Sequence, residues 1–179
     1  MENEKYPNMV YDDRMWDLIR SKLGENIERV LELGSRYGHW VEGLLENFTI
    51  DRIYCIDFWK KCRWRWAKEW FERLEPHVFE TVFPLRGQSH EWAEIRLLGD
   101  FDLLYVDANH KSEEVFRDLK CWYPRVRSGG LIICHDCHAT KVLNPVMKFF
   151  RNLRREITDR PTLFDSGPDH EKSCWIVKR

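Results

Sequence analysis

The chain has 179 residues, room for one domain of ordinary size. Hydrophobic side chains make up 43 % of it, enough to fill a sizeable core, and 29 basic against 30 acidic residues leave a formal net charge of -1. That balance argues against nucleic-acid binding through bulk positive charge, and no apolar run approaches the roughly 18 residues of a membrane-spanning helix. Met1 to Val10 contains no apolar stretch of the signal-peptide kind, so the expected location is cytoplasmic, with reduced thiols.

Along the chain, Met15, Trp16, Ile19 and Leu23 recur at helical spacing within Asp12 to Leu23, and Gly24 follows as a stop. Five short, nearly continuous apolar runs come next: Arg29 to Leu33, Arg52 to Ile56, Thr81 to Leu85, Phe101 to Val106 and Gly130 to Cys134. Strands buried on both faces of a parallel sheet read this way. Between them lie segments of helical period, Trp40 to Asn47, Trp59 to Leu74, Ser89 to Leu98 and Ser112 to Tyr123. Val142, Val146, Phe149, Phe150 and Leu153 mark a further helix. Pro161 to Phe164 and Cys174 to Val177 then read as an antiparallel pair across the turn-rich Asp165-Ser166-Gly167-Pro168-Asp169. Strand–helix alternation predicts an α/β domain over residues 28–179, preceded by a helical segment over 1–27.

Two local features have a plain reading. Four of the nine tryptophans fall between Trp59 and Trp70, interleaved with Lys60, Lys61, Arg63, Arg65 and Lys68, a pattern that also occurs on nucleic-acid stacking surfaces. On a helical wheel, however, Trp59, Cys62, Trp66, Ala67, Trp70 and Leu74 share one stripe, as in an amphipathic helix packed on a sheet. Trp64 and Phe71 are left at its edge. Cys134-His135-Asp136-Cys137-His138 resembles half a zinc site, but the second ligand pair a structural zinc needs is missing. All six cysteines are expected as free thiols.

The chemistry-bearing residues sit at the ends of the strands. Val30-Leu31-Glu32-Leu33-Gly34-Ser35-Arg36-Tyr37-Gly38 runs from a strand through a glycine turn into a helix, where glycine permits positive φ and a close approach to a ligand. The spacing is not the GxGxxG of dinucleotide folds. Glu32 suits a ligand with a cationic amine better than a diphosphate. Twenty-three residues after Gly34, Asp57 closes the second strand where a carboxylate accepts ribose hydroxyls, with Phe58 or Trp59 placed to cover a base. Gly87-Gln88-Ser89, Asp107 and His135-Asp136 end the next three strands. Open α/β sheets bind ligands at that edge.

Taken together, these motifs resemble the class I S-adenosylmethionine-dependent methyltransferases, in particular the branch of catechol O-methyltransferase-like and macrolide-sugar O-methyltransferases. Val30-Leu31-Glu32-Leu33-Gly34 with Gly38 is similar to that branch's cofactor loop, and Gly87-Gln88-Ser89 to its adenine contact. Asp107-Ala108-Asn109-His110, with Asp118-Leu119 and Trp122, resembles its Asp-x-x-His pattern. The resemblance implies a Rossmann-like, doubly wound, mostly parallel seven-stranded sheet, helices on both faces and an antiparallel last strand. It implies that Glu32, Gly34, Ser35, Gly38 and Asp107 hold the methionine portion of S-adenosyl-L-methionine, Asp57 the ribose, and Phe58, Gln88 and Ser89 the adenine. In metal-dependent members a divalent ion sits at the positions that fall here on Asp107, His135 and Asp136. His135 stands where many members carry Asp, which weakens the case for Mg²⁺ and favours Mn²⁺ or a similar ion, or no metal. His110 lies where relatives place a base, and an ordinary imidazole pKa suits it to take a proton from an acceptor hydroxyl, with Asp107 beside it. Ser112 departs from a common Tyr. The signatures of DNA methyltransferases are missing, so the expected acceptor is a small molecule or a sugar, with no nucleic acid and no membrane. The chain is too short for a separate acceptor domain, so local segments, or a second subunit in a homodimer, must complete the site. The alternative is a non-catalytic module that keeps the fold and binds a nucleoside or a partner.

Overall fold

The strands form where the apolar runs stand: β1 (Asn26–Leu33), β2 (Thr49–Asp57), β3 (Val82–Arg86), β4 (Phe101–Val106), β5 (Val126–Cys134), β6 (Thr162–Asp165) and β7 (Lys172–Val177). The helices are α1 (Asp13–Leu23), α2 (His39–Asn47), α3 (Trp64–Leu74), α4 (Ser89–Ala93), α5 (Ser112–Trp122) and α6 (Thr140–Asn152). This is a computed structural model, and it describes residues 13–60, 64–95, 98–153, 156–166 and 171–179. Asp12, Cys62 and most of the turn expected at 165–169 lie outside the described residues, as does the side chain of Trp64. No helix among the described residues is long and apolar enough to cross a membrane.

The seven strands form one sheet in the order β3-β2-β1-β4-β5-β7-β6. The first five are parallel, and β7 runs antiparallel to both β5 and β6. Alternate side chains of the strands go to opposite faces. On one, Val30, Ile53, Leu103, Tyr105 and Ile133 pack under α1, α2 and α3 through Met15, Ile19, Trp40, Leu44, Trp70 and Leu74. On the other, Leu31, Leu33, Leu104 and Ile132 pack under α5 and α6 through Leu119, Trp122, Val146 and Phe150. The doubly wound sheet expected from the sequence is the one observed. α1 is part of the same core, its Trp16 lying so close to Gly43 that a Cβ there would stand 2.7 Å from the indole.

Two helices start or stop elsewhere than their periodicity suggests. α3 is described from Trp64, and Trp59 is not part of it, because Trp59 is held out of helical geometry (φ 32) by hydrogen bonds to Asp57 and Arg36. α4 ends at Ala93 rather than Leu98: the chain turns through Gly99 (φ 74), beside the Arg29 guanidinium, to enter β4.

The order of strands reverses between β1 and β4, and that junction is tight. Asp107 N–H donates to Leu33 O at 2.8 Å, and Gly34 N–H to Ile56 O at 2.8 Å. Gly34 has φ 92, and a Cβ there would stand 2.1 Å from the Asp107 carbonyl oxygen. Gly34→Ala therefore combines an unfavourable φ with a clash against backbone that no rotamer relieves. It should destabilise the protein by roughly 2–4 kcal/mol, read as a lower denaturation midpoint in urea. A midpoint equal to that of the parent protein would show that the junction can open.

Candidate active site

A cleft of about 860 Å³ lies at the carboxyl ends of β1 to β5, centred on the β1/β4 junction. Its floor is the β1–α2 turn, which β2 and α3 hold in place. Both Asp57 carboxylate oxygens accept backbone N–H groups at 2.9 Å, one from Arg36 and the other from Trp59. The Trp59 indole donates back to Arg36 O, and the Trp70 indole donates to Ser35 Oγ at 2.7 Å. These bonds sustain positive φ at both Arg36 and Trp59, a strain such sites commonly carry. The glycines of the turn make room for the protein itself. Gly34 admits the backbone of Asp107, and Gly38 admits Trp70 and Leu74. Gly34 still lines the cleft, whereas Gly38 does not reach it.

Deep in the cleft, Glu32 and Trp40 each carry one polar atom without a hydrogen-bond partner among the described residues. Glu32 is 2 % exposed and its Oε2 accepts no hydrogen bond. Burial pushes its carboxyl up to about 8; the hydrogen bond with Ser35 opposes this, and the charges of Asp107 and Asp57 add to it. Trp40, also 2 % exposed, stacks on Tyr105 with ring centroids 4.0 Å apart, and its Nε1 finds no acceptor. Tyr105 is the register partner of Glu32 across β1 and β4, so the orphan acceptor and the orphan donor share one face of the sheet.

At the β3 edge, Gln88 and Glu91 form a capping box at the start of α4. Ser89 Oγ donates to Asp118 Oδ1 at 2.5 Å and accepts from the Trp122 indole at 2.9 Å. Its hydroxyl is thus engaged by α5, which fixes this wall of the cleft. Burial lifts the Asp118 carboxyl to about 6, with the Ser89 hydrogen bond opposing. Phe58 stands exposed at the rim, with Lys60 Nζ 5.4 Å above its ring.

At the β4 and β5 ends, Asp107 and Asp136 meet the imidazoles of His110 and His135, with His138 Nδ1 at the edge, 3.7 Å from Asp136 Oδ1. His110 Nε2 lies 2.9 Å from Asp136 Oδ2 and 3.6 Å from Asp107 Oδ1. His135 Nδ1 lies 3.4 Å from Asp136 Oδ1 and 3.7 Å from Asp107 Oδ1, and its Nε2 3.6 Å from Glu171. Hydrogen bonding to Asp107 and Asp136 raises His110 to about 9, against its burial. Burial would lower His135, yet the same two carboxylates bring it to about 10. Burial would likewise raise Asp136, but the two imidazoles hold it well below the usual carboxylate range. Asp107, His110, His135 and Asp136 thus form a tight quartet in which the two carboxylates favour the charged form of both imidazoles. An unperturbed His110, expected from the sequence as a ready base, is not what this geometry provides.

Ligand atoms of Asp107, His110 and Asp136 lie within 4.8 Å of one another, the one group among the described residues able to hold a metal. It contains His110 where the sequence pointed to His135, which is buried behind the carboxylates. It contains no cysteine, and the five described thiols, Cys55, Cys121, Cys134, Cys137 and Cys174, are free.

The cleft gathers Glu32, Gly34, Ser35, Asp57, Phe58, Gln88, Ser89, Asp107, His110, His135 and Asp136. Sequence reasoning missed Trp40, which reads as core on its helix, and Glu171, which precedes β7 with no strand-end signal of its own. It also missed Arg36, whose guanidinium lies 4.9 Å from the rings of both Tyr37 and Trp66.

A family model described as a methyltransferase domain matches residues 31–137. The fold is similar to that of the O-methyltransferase TomG from Streptomyces achromogenes, solved with SAM, at TM-score 0.70 and 17 % identity. That match covers 97 % of this chain and 83 % of the other. It is also similar to an O-methyltransferase from Bacillus cereus solved with SAH (TM-score 0.71, 12 % identity, 96 % and 84 % covered). The precorrin 8w decarboxylase of Methanobacterium thermoautotrophicum matches at TM-score 0.66 and 14 % identity over 95 % and 96 % of the chains. At these identities the likeness is one of fold. No curated protein matches the chain by sequence.

Because Glu32 is charged only at a cost in the folded state, stability attributable to its protonated form falls as pH rises from about 4.5 to about 8. Glu32→Gln should therefore match the parent near pH 5 and exceed it at pH 9 by a Tm difference of about 2–4 °C or more. Parallel melting curves across that range would show that Glu32 is not desolvated.

Proposed function

The chain belongs to the methyltransferase-domain family, and from that premise we propose that it transfers the methyl group of S-adenosylmethionine to an oxygen of a small molecule or sugar. The observation that carries this reading is the pair of orphan groups in the cleft. An α-amino acid end carries an ammonium and a carboxylate, and the Glu32 oxygen and Trp40 N–H complement the two. Asp57, already polarised by two N–H donors, retains lone pairs for ribose hydroxyls. Phe58 and the wall fixed by Ser89 and Asp118 border the space left for the base.

When bound, the donor supplies an electrophilic sulfonium methyl group. The protein's part is to bind, orient and manage one proton, and fixing two reactants in line is worth on the order of 7–11 kcal/mol of barrier. With His110 protonated, the carboxylate of Asp107 accepts the hydrogen of the acceptor hydroxyl, and His110 holds that carboxylate in place. The donor set of two carboxylates and one imidazole also fits a divalent ion of the Mn²⁺ kind better than Mg²⁺, which prefers oxygen throughout. Such an ion would rest on Asp107, Asp136 and a neutral His110, displacing the imidazole proton, and would acidify the acceptor oxygen.

Calorimetric titration with S-adenosylmethionine and S-adenosylhomocysteine tests the reading. Both should bind. Trp40→Phe, which keeps the stack and removes the donor, and Asp57→Ala should each weaken binding by roughly 1.5–3 kcal/mol. Because the ammonium favours ionised Glu32, binding should release a proton near neutral pH and strengthen as pH rises towards 8. Absence of binding, or an affinity indifferent to Trp40→Phe and Asp57→Ala, would sink the assignment.

A further inference from the structure

We propose that the acceptor occupies a groove beside the cleft, and that it carries a negatively charged group, carboxylate or phosphate, near the oxygen to be methylated. The inference rests on the methyltransferase reading above. The groove, about 460 Å³, is lined by Asn109, His110, Lys111, Ser112, Glu113 and Lys141. It shares Asn109 and His110 with the main cleft, so it opens from the end where Asp107, His110 and Asp136 converge. That end lies two strands away from Asp57 in the sheet. An acceptor seated there would reach the quartet without entering the donor's space.

Its walls are fixed. Asn109 Oδ1 accepts the Lys111 N–H at 3.0 Å and sets the turn after β4. Ser112 Oγ donates to Lys141 O at 2.7 Å, tying the start of α5 to the start of α6. Lys111, just before α5, and Lys141, at the start of α6, thus both line one concavity. Neither has a carboxylate within ion-pair distance among the described residues, and Glu113 is the only acidic side chain in the lining. The charge of His110 is already matched by Asp107 and Asp136.

The contrast with the main cleft is chemical. There the carboxyl groups, from Glu32 and Asp57 to Asp136 and Glu171, outnumber the cations Arg36 and Lys60. The groove offers two cations against one anion. An ammonium on a flexible stem is a point charge that meets carboxylate and phosphate alike, so the lysines specify charge and leave the anion open.

The test uses protein saturated with S-adenosylhomocysteine, titrated with two matched pairs: 3,4-dihydroxybenzoate against 3,4-dihydroxybenzyl alcohol, and glucose 6-phosphate against glucose. At least one anion should bind roughly tenfold or more tightly than its neutral counterpart at low salt, and the arm that responds identifies carboxylate or phosphate. Lys111→Gln and Lys141→Gln, both at exposed positions, should each remove most of that preference and leave affinity for S-adenosylhomocysteine unchanged. If S-adenosylhomocysteine binds but neither anion is preferred, or the preference survives both substitutions, the groove assignment is wrong and the methyltransferase reading stands. If S-adenosylhomocysteine does not bind, both fall.

Discussion

The cleft depends on one close approach, the backbone of Asp107 lying against the side of Gly34 that has no side chain. Parallel strands on either side of a reversal in strand order normally diverge at their ends and leave a crevice. Here the ladder runs one residue past the strands, through Gly34 to Ile56, Asp107 to Leu33 and His135 to Val106. Asp107, Glu32 and His135 are therefore carried on a rigid rim rather than on loops. Their mutual placement follows from strand register, which the buried faces of the sheet enforce. A side chain at position 34 would part β1 from β4 and disperse the carboxylates.

Rigidity is also what makes the electrostatics possible. Carboxylates crowded at one edge repel, and each lost water must be replaced by something. Asp57 is satisfied by two backbone N–H groups, Asp118 by Ser89, and Asp107 and Asp136 by two imidazoles. Glu32 is left with an oxygen unsatisfied, and its carboxyl responds by holding its proton. Leaving such a group buried costs about 1–3 kcal/mol, which no feature of the fold requires. Under the proposed reading an ammonium offsets that cost at Glu32, and an anionic group does the same for the Trp40 indole.

Most of the architecture is legible in the sequence because each strand is a short apolar run and each crossover has a helical period. The exceptions have local causes. The stripe from Trp59 to Leu74 has the right period for one helix, but Asp57 captures the backbone of Trp59 and delays the start. Site residues at strand ends, such as Glu32, Asp57 and Asp107, are visible because a carboxylate interrupts an apolar pattern. Trp40 is not, since an indole on the buried face of α2 looks like any other core residue until its N–H is found without an acceptor. Nor is the protonation of His110, which depends on two carboxylates brought from different strands.

That last point bears on how the proton of an acceptor leaves. A histidine three residues after an aspartate suggests a relay in which the imidazole is the base, and the sequence supports that idea on spacing alone. In the fold, β5 adds Asp136 to the other side of the same ring, at 2.9 Å. Two anions around one imidazole favour its charged form, which under the proposed reading leaves a carboxylate to take the proton. Asp136 adopts φ 54 to reach this position, a conformation that costs an aspartate on the order of 1–3 kcal/mol. With His110 and His135 on either side, that strained carboxylate is held as an anion, and Asp107 lines the cleft beside it. Under the proposed reading His110 orients Asp107 and balances its charge, so its removal is expected to disturb the position of Asp107.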